Sequence, residues 1–307
     1  MSSCSGCSSS SGGSAGCGST QPGAENAPSA KQNIQDALIS STLDKIRYKL
    51  FIMSGKGGVG KSSVTVNTAA ALAAKGFKVG ILDVDIHGPS VPNLLGATQL
   101  GLEADRGGLL NPAQVSENLW VVSMDSLLKD KDTAVLWRGP KKTAAIRQFV
   151  SDVNWGELDF LLIDSPPGTG DEHMTVLKTI PEALCVVVTT PQEISLADVR
   201  KAINFLQYAN ANVLGVVENM SGLCCPHCGG EISLFKKGGG KQLAERYGLE
   251  FLGSVPLDPA TVVAADKGIP VVLLEEESHA KAGFLNLADA IVAAVDRSLE
   301  AIATHHE

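Results

Sequence analysis

The sequence predicts an α/β fold with a doubly wound, mostly parallel sheet flanked by helices. From Lys49 onward, short β-branched runs alternate with longer helical patterns, as in chains that build a parallel sheet through right-handed crossovers. Most of these runs are apolar almost throughout, which is typical of strands buried on both faces. The predicted strands are Lys49–Ser54, Lys78–Asp85, Leu119–Met124, Leu158–Asp164, Ala183–Thr190, Val213–Met220 and Phe251–Pro256.

Helical patterns occupy the connections between these runs. Although 307 residues exceed the usual size of a single domain, one doubly wound domain with insertions accommodates them. We expect one domain over residues 31–307, with a cysteine-bearing insertion near residues 222–230. Residues 1–30 are rich in Ser and Gly, and we expect them to form a disordered tail. The predicted helices are Lys61–Lys75, Thr143–Val153, Ser195–Ala209, Lys241–Tyr247 and about Lys281–Thr304.

Charge and hydropathy exclude several functional classes. The formal net charge of -8 argues against general binding to nucleic acids or anionic membranes, since both favour basic surfaces. Apolar runs fall short of the roughly 18 residues that span a bilayer, and the N-terminus does not resemble a signal peptide. We therefore predict a cytoplasmic protein. The 7 cysteines are then expected to be thiols or metal ligands, and Cys185, inside an apolar run, to be a small buried hydrophobic residue.

A phosphate-binding motif follows the first predicted strand. Residues 55–62 match G-x-x-x-x-G-K-[ST], with a strand before them and a helix after them. In such a loop, backbone N–H groups and the helix N-terminus bind phosphate oxygens. We expect Lys61 to reach the β- and γ-phosphates and the Ser62 hydroxyl to ligate Mg²⁺. The predicted nucleotide-binding residues here are Gly55, Gly57, Gly58, Val59, Gly60, Lys61, Ser62 and Ser63.

The loop also carries Lys56, a second lysine that the motif does not require. One hypothesis makes Lys56 a solvated loop residue. The other makes it a second catalytic cation beside Lys61, for charge that develops on the transferred phosphoryl group. Because the loop already surrounds one nucleotide, the geometry favours a reach across a dimer interface.

Aspartates occupy the ends of two further strands. Asp85 is favoured as the catalytic residue that orients the attacking water, and Asp83 as a cap or a magnesium contact. Asp164 ends an apolar strand in the Walker B arrangement and is expected to help hold Mg²⁺, directly or through water. The backbone N–H of Gly168 is expected to sense the γ-phosphate. Each aspartate alone is equally consistent with an exposed strand end, but the matching loops together favour a phosphoryl-transfer site.

Cys225 and Cys228, in C-x₂-C spacing, supply two thiolates. Tetrahedral zinc and 4Fe-4S clusters commonly take four protein ligands, and neither His227 nor Cys224 completes the set convincingly. A two-fold dimer would bring two copies of the pair together as four ligands. A dimer would therefore explain both the second lysine and the incomplete metal site. Four thiolates suit an iron-sulfur cluster or a structural zinc ion, and both stay open on this reasoning.

These motifs carry a family resemblance. The stretch KGGVGKS resembles the deviant Walker A motif of the MinD/ParA/nitrogenase iron protein class of P-loop ATPases. The stretches DVDIHGPSVP, WRGPKK, DSPPGTGDEH, ENMSGLCCPHCGG and VPLDP resemble one branch of it, the Mrp/ApbC iron-sulfur cluster carrier proteins, over about Leu43 to Glu300. Arg138 in WRGPKK matches that branch, but no physical role for it follows from the sequence.

The resemblance implies a homodimer that binds and hydrolyses ATP with Mg²⁺, with Lys56 acting in trans. It implies that Asn219 and Pro256 contact the adenine. It also implies that Cys225 and Cys228 share a 4Fe-4S cluster across the dimer, which is received from cluster donor proteins and delivered to apo iron-sulfur proteins.

Other interpretations stay open. A MinD/ParA-like positioning ATPase with an interfacial zinc shares the nucleotide site, but the neutral to acidic final segment lacks the basic elements that such proteins use. A nitrogenase-iron-protein-like reductase would be expected to have a cysteine near the Walker B loop, and residues 164–172 have none. Cys4, Cys7 and Cys17 are one fewer than the four-cysteine site of eukaryotic scaffolds in this group. A thiol relay, a three-cysteine cluster with an outside ligand and unliganded thiols are all consistent with them.

Overall fold

The computed structural model describes residues 30–86, 88–98, 100–127, 139–225, 228, 230–232 and 234–304. Its strands are β1 Ile46–Ser54, β2 Val79–Asp83, β3 Glu103–Ala104, β4 Leu110–Asn111, β5 Ala113–Ser116, β6 Leu119–Ser123, β7 Leu158–Asp164, β8 Leu184–Thr189, β9 Asn212–Cys224, β10 Glu231–Ile232 and β11 Phe251–Leu257. Its α-helices are α1 Ala30–Leu43, α2 Lys61–Ala74, α3 Val91–Leu94, α4 Gly139–Asp152, α5 Asp171–Thr179, α6 Glu193–Tyr208, α7 Gly239–Tyr247, α8 Pro259–Asp266 and α9 His279–Thr304, with 3-10 turns at Met124–Leu127 and Val271–Leu273.

The main sheet confirms the predicted fold class. Its parallel strands are the ones predicted from the apolar runs, in the spatial order β11, β9, β8, β1, β7, β2, β6. The outer strands β5 and β10 are antiparallel to β6 and β9. A parallel sheet needs both of its faces covered, and β1 lies near the middle of it, between β7 and β8.

Helices cover both faces, as a doubly wound fold requires. Leu72 of α2 and Phe284 of α9 belong to the core on one face. Phe149 of α4 and Ile203 of α6 belong to the core on the other face. All four side chains are almost fully buried, so removal of apolar surface from water holds the helices against the sheet.

Several elements were not predicted. Helix α1 begins at Ala30, and its weakly amphipathic sequence leaves Ile34 and Leu38 exposed. Helices α5 and α8 are short, and α5 starts directly after a loop rich in Gly and Pro. Strand β9 extends to Cys224, past the predicted end at Met220, because β10 and β11 pair with its last residues.

The fold gathers the predicted site at one edge of the sheet. The carboxyl ends of parallel strands lie together, so the residues that follow β1, β2 and β7 approach one another.

Some predictions concern residues or properties outside this sheet. Within the described ranges, no helix is long and apolar enough to span a bilayer. The tail cysteines Cys4, Cys7 and Cys17, as well as Arg138 and His227, lie outside the described residues. The division into a tail and one domain over residues 31–307 stays a prediction.

Candidate functional site

The phosphate loop surrounds a cavity of about 280 Å³ at the carboxyl end of β1. Gly55 packs against the backbone of Asp198 in α6. Gly60 has a φ of 79°, and a Cβ at this position would overlap the side-chain amide of Asn219, so glycine is required here. The other predicted phosphate-binding residues line the cavity: Gly57, Gly58, Val59, Gly60, Lys61, Ser62 and Ser63.

Lys61 and Ser62 meet the carboxylate of Asp164 at the start of α2. Lys61 Nζ and Ser62 Oγ each lie 2.6 Å from Asp164 Oδ2, and Thr65 Oγ1 lies 2.5 Å from Oδ1. Asp164 is fully buried, so these charge-assisted bonds fix its orientation. The structure thus brings together the predicted phosphate-binding lysine and two of the three predicted magnesium-site residues, Ser62 and Asp164.

The aspartates at the end of β2 and just after it are buried to different depths. Asp83 is fully buried, and it accepts hydrogen bonds from the Asp85 N–H at 3.0 Å and from Ser123 Oγ at 3.2 Å. Burial, and then the nearby charge of Asp164, raise the pKa of Asp83 well above its usual value. Asp85 lies at the wall of the phosphate cavity and accepts a hydrogen bond from the Gly88 N–H at 3.2 Å. This placement suits the predicted roles, in which Asp85 orients the attacking water and Asp83 is a cap or a magnesium contact. Both roles stay predictions.

Lys56 lines the phosphate cavity of its own chain. It is half-buried, and its carbonyl oxygen accepts a hydrogen bond from Ser54 Oγ at 2.9 Å. Its action across a dimer stays a prediction.

The loop after β7 folds back onto β1. The Gly168 N–H donates a hydrogen bond to the Ser54 carbonyl at 3.0 Å, and Pro167 lines the cavity in its place. In this structure the Gly168 N–H is therefore bonded to the last carbonyl of β1, and its expected role as a γ-phosphate sensor stays a prediction.

Two contacts that were not predicted hold the end of this loop. Lys142 in α4 lies 2.5 Å from Glu172 in α5, and both side chains are largely buried. His173 packs against the rings of Phe51 and Phe205, and its Nδ1 accepts a hydrogen bond from the Gly170 N–H at 3.2 Å. Burial lowers the pKa of His173 to about 4, so the ring is neutral at pH 7.

These contacts join two motifs that the sequence shows separately. Lys142 belongs to WRGPKK, and Glu172 belongs to DSPPGTGDEH. Thr143 and Thr175 lie 3.1 Å apart beside the same ion pair. The signal was therefore present in the sequence, but only the packing of α4 against α5 pairs the two motifs.

A second cavity, of about 230 Å³, continues from the phosphate cavity. The two cavities share Gly60, Ser63 and Leu94. Asn219 Nδ2 donates a hydrogen bond to the Val59 carbonyl at 2.9 Å. The mostly apolar lining suits the flat faces of a nucleobase. Besides the shared residues it includes Asn219, Met220, Val255, Pro256, Leu257 and Phe284, so the two predicted adenine contacts line one cavity.

Cys225 and Cys228 lie in the turn between β9 and β10. The turn is closed by the Cys225 N–H, which donates to the Gly230 carbonyl at 2.9 Å. Cys228 is exposed and Cys225 is partly exposed. In the part of the chain that the structure describes, no three His, Cys, Asp or Glu side chains converge as a metal site. A single chain thus presents this thiol pair at an accessible turn.

Cys185 in β8 differs from this pair. It is completely buried, and burial raises the pKa of its thiol to about 12. The thiol is therefore protonated at pH 7 and cannot serve readily as a ligand. This agrees with the prediction of a small buried hydrophobic residue.

Comparison with known proteins identifies the family. The family described as "ParA: NUBPL iron-transfer P-loop NTPase" matches residues 45–292. This chain belongs to that family of iron-transfer P-loop NTPases. It is 49% identical over 259 residues to an iron-sulfur cluster carrier protein of Methanocaldococcus jannaschii, with 83% of this chain and 89% of that protein covered. It is 48% identical over 231 residues to the cytosolic Fe-S cluster assembly factor CFD1 of Saccharomyces cerevisiae, with 73% and 78% covered.

Solved structures agree with membership of the iron-transfer P-loop NTPases. A nucleotide-binding protein of Archaeoglobus fulgidus in complex with ADP superposes with a TM-score of 0.70 at 39% identity, covering 81% of this chain and 96% of that one. The cell division ATPase MinD of Pyrococcus furiosus superposes with a TM-score of 0.59 at 26% identity, covering 80% and 98%. The resemblance to the carrier branch of the MinD/ParA class is thereby confirmed.

Proposed function

We propose that this P-loop NTPase hydrolyses ATP and carries a 4Fe-4S cluster across a homodimer for transfer to apoproteins. The observation that carries the proposal is the course of β9. This strand places Asn219 against the phosphate loop and ends at the turn that holds Cys225 and Cys228. A nucleotide site and a pair of soft metal ligands therefore share one structural element.

The phosphate cavity has the parts that phosphoryl transfer uses. Lys61 and the N-terminus of α2 suit the β- and γ-phosphates, and Asp85 at the cavity wall suits the orientation of an attacking water. The Ser62 hydroxyl and the Asp164 carboxylate are hard oxygen donors, which fit Mg²⁺. Bound there, directly or through water shared with Asp83, the ion would neutralise phosphate charge.

The second cavity suits the base of the same nucleotide. Asn219 and Pro256 lie on its wall, and Gly60 and Ser63 connect it to the phosphate loop. A nucleotide that spans both cavities would keep its base in apolar surroundings and its phosphates at the helix N-terminus. The ADP complex of the Archaeoglobus fulgidus relative supports nucleotide binding by this fold.

The cysteine turn suits a cluster that is cargo rather than a permanent cofactor. Cys225 and Cys228 are accessible, so an acceptor protein could approach the cluster and exchange its ligands. Two thiolates per chain become four in a two-fold dimer, which matches the ligand number of a 4Fe-4S cluster. The same dimer would bring Lys56 of each chain toward the nucleotide of its partner, where a second cation stabilises developing charge.

The names of the relatives support the partners and the compartment. Carrier and assembly factors of this family imply cluster donors and apo iron-sulfur proteins as partners. The relatives in Dictyostelium discoideum and Saccharomyces cerevisiae are named cytosolic factors, which supports a cytoplasmic location for this chain.

The deciding experiment counts metal and sulfide in anaerobically reconstituted protein, beside a Cys225→Ala/Cys228→Ala variant. We expect about four iron and four acid-labile sulfide per dimer, lost in the variant while nucleotide binding is kept. Cys185→Ala is the matched control, because this buried thiol is not a proposed ligand. Stoichiometric zinc without sulfide would contradict the carrier function and favour a positioning ATPase whose dimer is held by zinc.

A further inference from the structure

Glu218 is a buried carboxylate on β9 that the proposed mechanism does not use. Its Oε1 accepts hydrogen bonds from Ser221 Oγ at 2.5 Å and from the Gly238 N–H at 2.9 Å. Its Oε2 accepts a hydrogen bond from the Gly240 N–H at 2.6 Å. The side chain is 1% exposed, so these bonds are shielded from water and are of the strong, charge-assisted kind.

The donors lie at the two ends of the segment that contains the cysteine turn. Ser221 lies on the β9 side, four residues before Cys225. On the other side, Gly238 is the N-cap of α7 and Gly240 lies in its first turn. Gly240 packs closely here, because a Cβ would lie 3.0 Å from the Cβ of Glu218. One carboxylate therefore fixes the beginning and the end of the segment 221–240 relative to each other.

The next residue along β9 contacts the phosphate loop. Asn219 Nδ2 donates to the Val59 carbonyl at 2.9 Å. Asn219 thus contacts the phosphate loop, and the adjacent Glu218 contacts the two ends of the segment that carries the cysteine turn. A shift of Val59 that moves Asn219 would displace the backbone of Glu218 as well.

Beyond Asn219 the strand is irregular. Met220 and Gly222 have φ values of 56° and 76°. Strand β11 pairs Val255 with Asn219 and Leu257 with Leu223. An advance of four residues along β9 therefore corresponds to an advance of only two residues along β11. Such a bulge interrupts the regular ladder between the nucleotide site and the cysteine turn. The ladder alone is therefore a poor connection, and the Glu218 contacts bridge the interruption.

We propose that Glu218 is a positioning residue that transmits movement of the phosphate loop to the segment carrying Cys225 and Cys228. Nucleotide binding changes the position of Val59, Asn219 follows, and the carboxylate moves both ends of the segment together. The meaning of this movement for cluster release rests on the proposed function. The mechanical connection itself does not require a cluster.

Glu218→Gln is the sharpest variant. The amide keeps the shape of the side chain but has one acceptor oxygen, and its NH₂ group would face an N–H or O–H donor. Ser221→Ala is the milder variant, because it removes one donor and keeps both backbone contacts with α7. Asp159→Asn is the matched control, since Asp159 accepts a hydrogen bond from the Lys78 N–H at 2.8 Å in another part of the sheet.

The experiment is hydrogen–deuterium exchange of residues 221–240 in the full chain, without nucleotide, with ADP and with a non-hydrolysable ATP analogue, all with Mg²⁺. In wild type and in Asp159→Asn we expect the nucleotide to change exchange rates in this segment by about threefold or more. In Glu218→Gln the nucleotide-dependent ratio should fall to about one, and in Ser221→Ala to an intermediate value, with ATP hydrolysis within about twofold of wild type. A purely structural role would raise exchange equally with and without nucleotide and leave the ratio unchanged.

Two outcomes would overturn the proposal: a nucleotide-dependent ratio that persists in both Glu218→Gln and Ser221→Ala, or wild-type protein whose segment does not respond to nucleotide. Iron and sulfide are counted separately on the same preparations. A chain that holds no cluster but shows the expected exchange pattern would retain the connection and refute the carrier function. A chain that holds the cluster but lacks the exchange pattern would refute the connection and retain the carrier function.

Discussion

The nucleotide site and the cysteine turn differ in how many of their functional side chains come together within a single chain. At the nucleotide site, Lys61, Ser62 and Thr65 surround a fully buried Asp164 with hydrogen bonds inside a single chain. At the turn, Cys225 and Cys228 are accessible thiols with no further metal-ligand side chain converging on them among the described residues. The difference teaches that one chain already orders the side chains of its phosphate loop, whereas the proposed cluster would need thiolates from a second chain.

Removal of Lys61 should separate the two regions most strongly. Lys61→Ala removes the cation beside the phosphates and Asp164, so we expect ATP hydrolysis to fall by roughly 100-fold or more. Iron bound at Cys225 and Cys228 should be unchanged, because the turn is built from other elements. Steady-state hydrolysis and iron content on the same samples measure both effects.

Lys75→Ala is the control for Lys61→Ala. Lys75 follows the other end of α2 and pairs with the largely exposed Asp289 at 2.7 Å, so its loss should leave hydrolysis unchanged. If folded Lys61→Ala protein lost its iron as well, the two regions would not be separable in this way.

Mixed dimers would show whether a partner chain contributes Lys56 to the nucleotide site. We expect Lys56→Ala and Asp85→Asn each to be nearly inactive alone. If Lys56 acts in trans and Asp85 in cis, a mixed dimer has one intact site of two. With random pairing, an equimolar mixture should then recover roughly a quarter of wild-type hydrolysis.

The measurement is hydrolysis after the two inactive variants are mixed and allowed to exchange subunits. Action of Lys56 on the nucleotide of its own chain predicts no recovery, because every site would then carry one defect. That result would make the nucleotide site complete within one chain and sharpen the contrast with the cysteine turn.

His173 tests how rigidly the loop beside the nucleotide is held. An unfolded chain takes up this proton near pH 6.5, but the folded chain does so only near pH 4, so stability should decline as the pH falls between these values. From pH 7 to pH 5 the contribution of His173 is a loss of about 2 kcal/mol in the free energy of unfolding. Urea unfolding at both pH values measures it.

His173→Asn keeps an acceptor for the Gly170 N–H and does not titrate. The comparison with this variant cancels the other titrating groups. We expect the variant to lose about 2 kcal/mol less than wild type on acidification. The same pH dependence in both proteins would show that the buried ring does not govern acid stability.

The ion pair between α4 and α5 should give the smallest effect. Lys142→Met leaves Glu172 without its partner in a largely buried position, and we expect a loss of about 1–2 kcal/mol in the free energy of unfolding. Lys201→Met is the control, because the Lys201 side chain in its pair with Asp198 is 77% exposed and should contribute less than about 0.5 kcal/mol. Equal losses in urea unfolding would argue against a special role for the α4–α5 contact.

How far the sequence alone reaches depends on the range of the interaction. Helix α5 was not predicted because it is short and follows a Gly-rich loop. A helix this short is stable mainly through tertiary packing, here of His173 and Val176 in the core. The hydrogen bond from the Gly168 N–H to the Ser54 carbonyl was not predicted, because a backbone donor takes whichever acceptor the folded loop offers. The pairing of Lys142 with Glu172 spans 30 positions of the chain, and no local pattern encodes it.

The parallel strands and the phosphate loop were determined by the sequence alone. Strands buried on both faces are continuous apolar runs, and a loop that binds phosphate needs glycines and a lysine at fixed spacing. Tertiary structure alone decided that Asp83 is buried more deeply than Asp85. It also decided that Glu218, the neighbour of Asn219 on β9, binds both ends of the cysteine segment. The reason is physical: burial and hydrogen bonds between distant positions exist only once the sheet has brought its strand ends together.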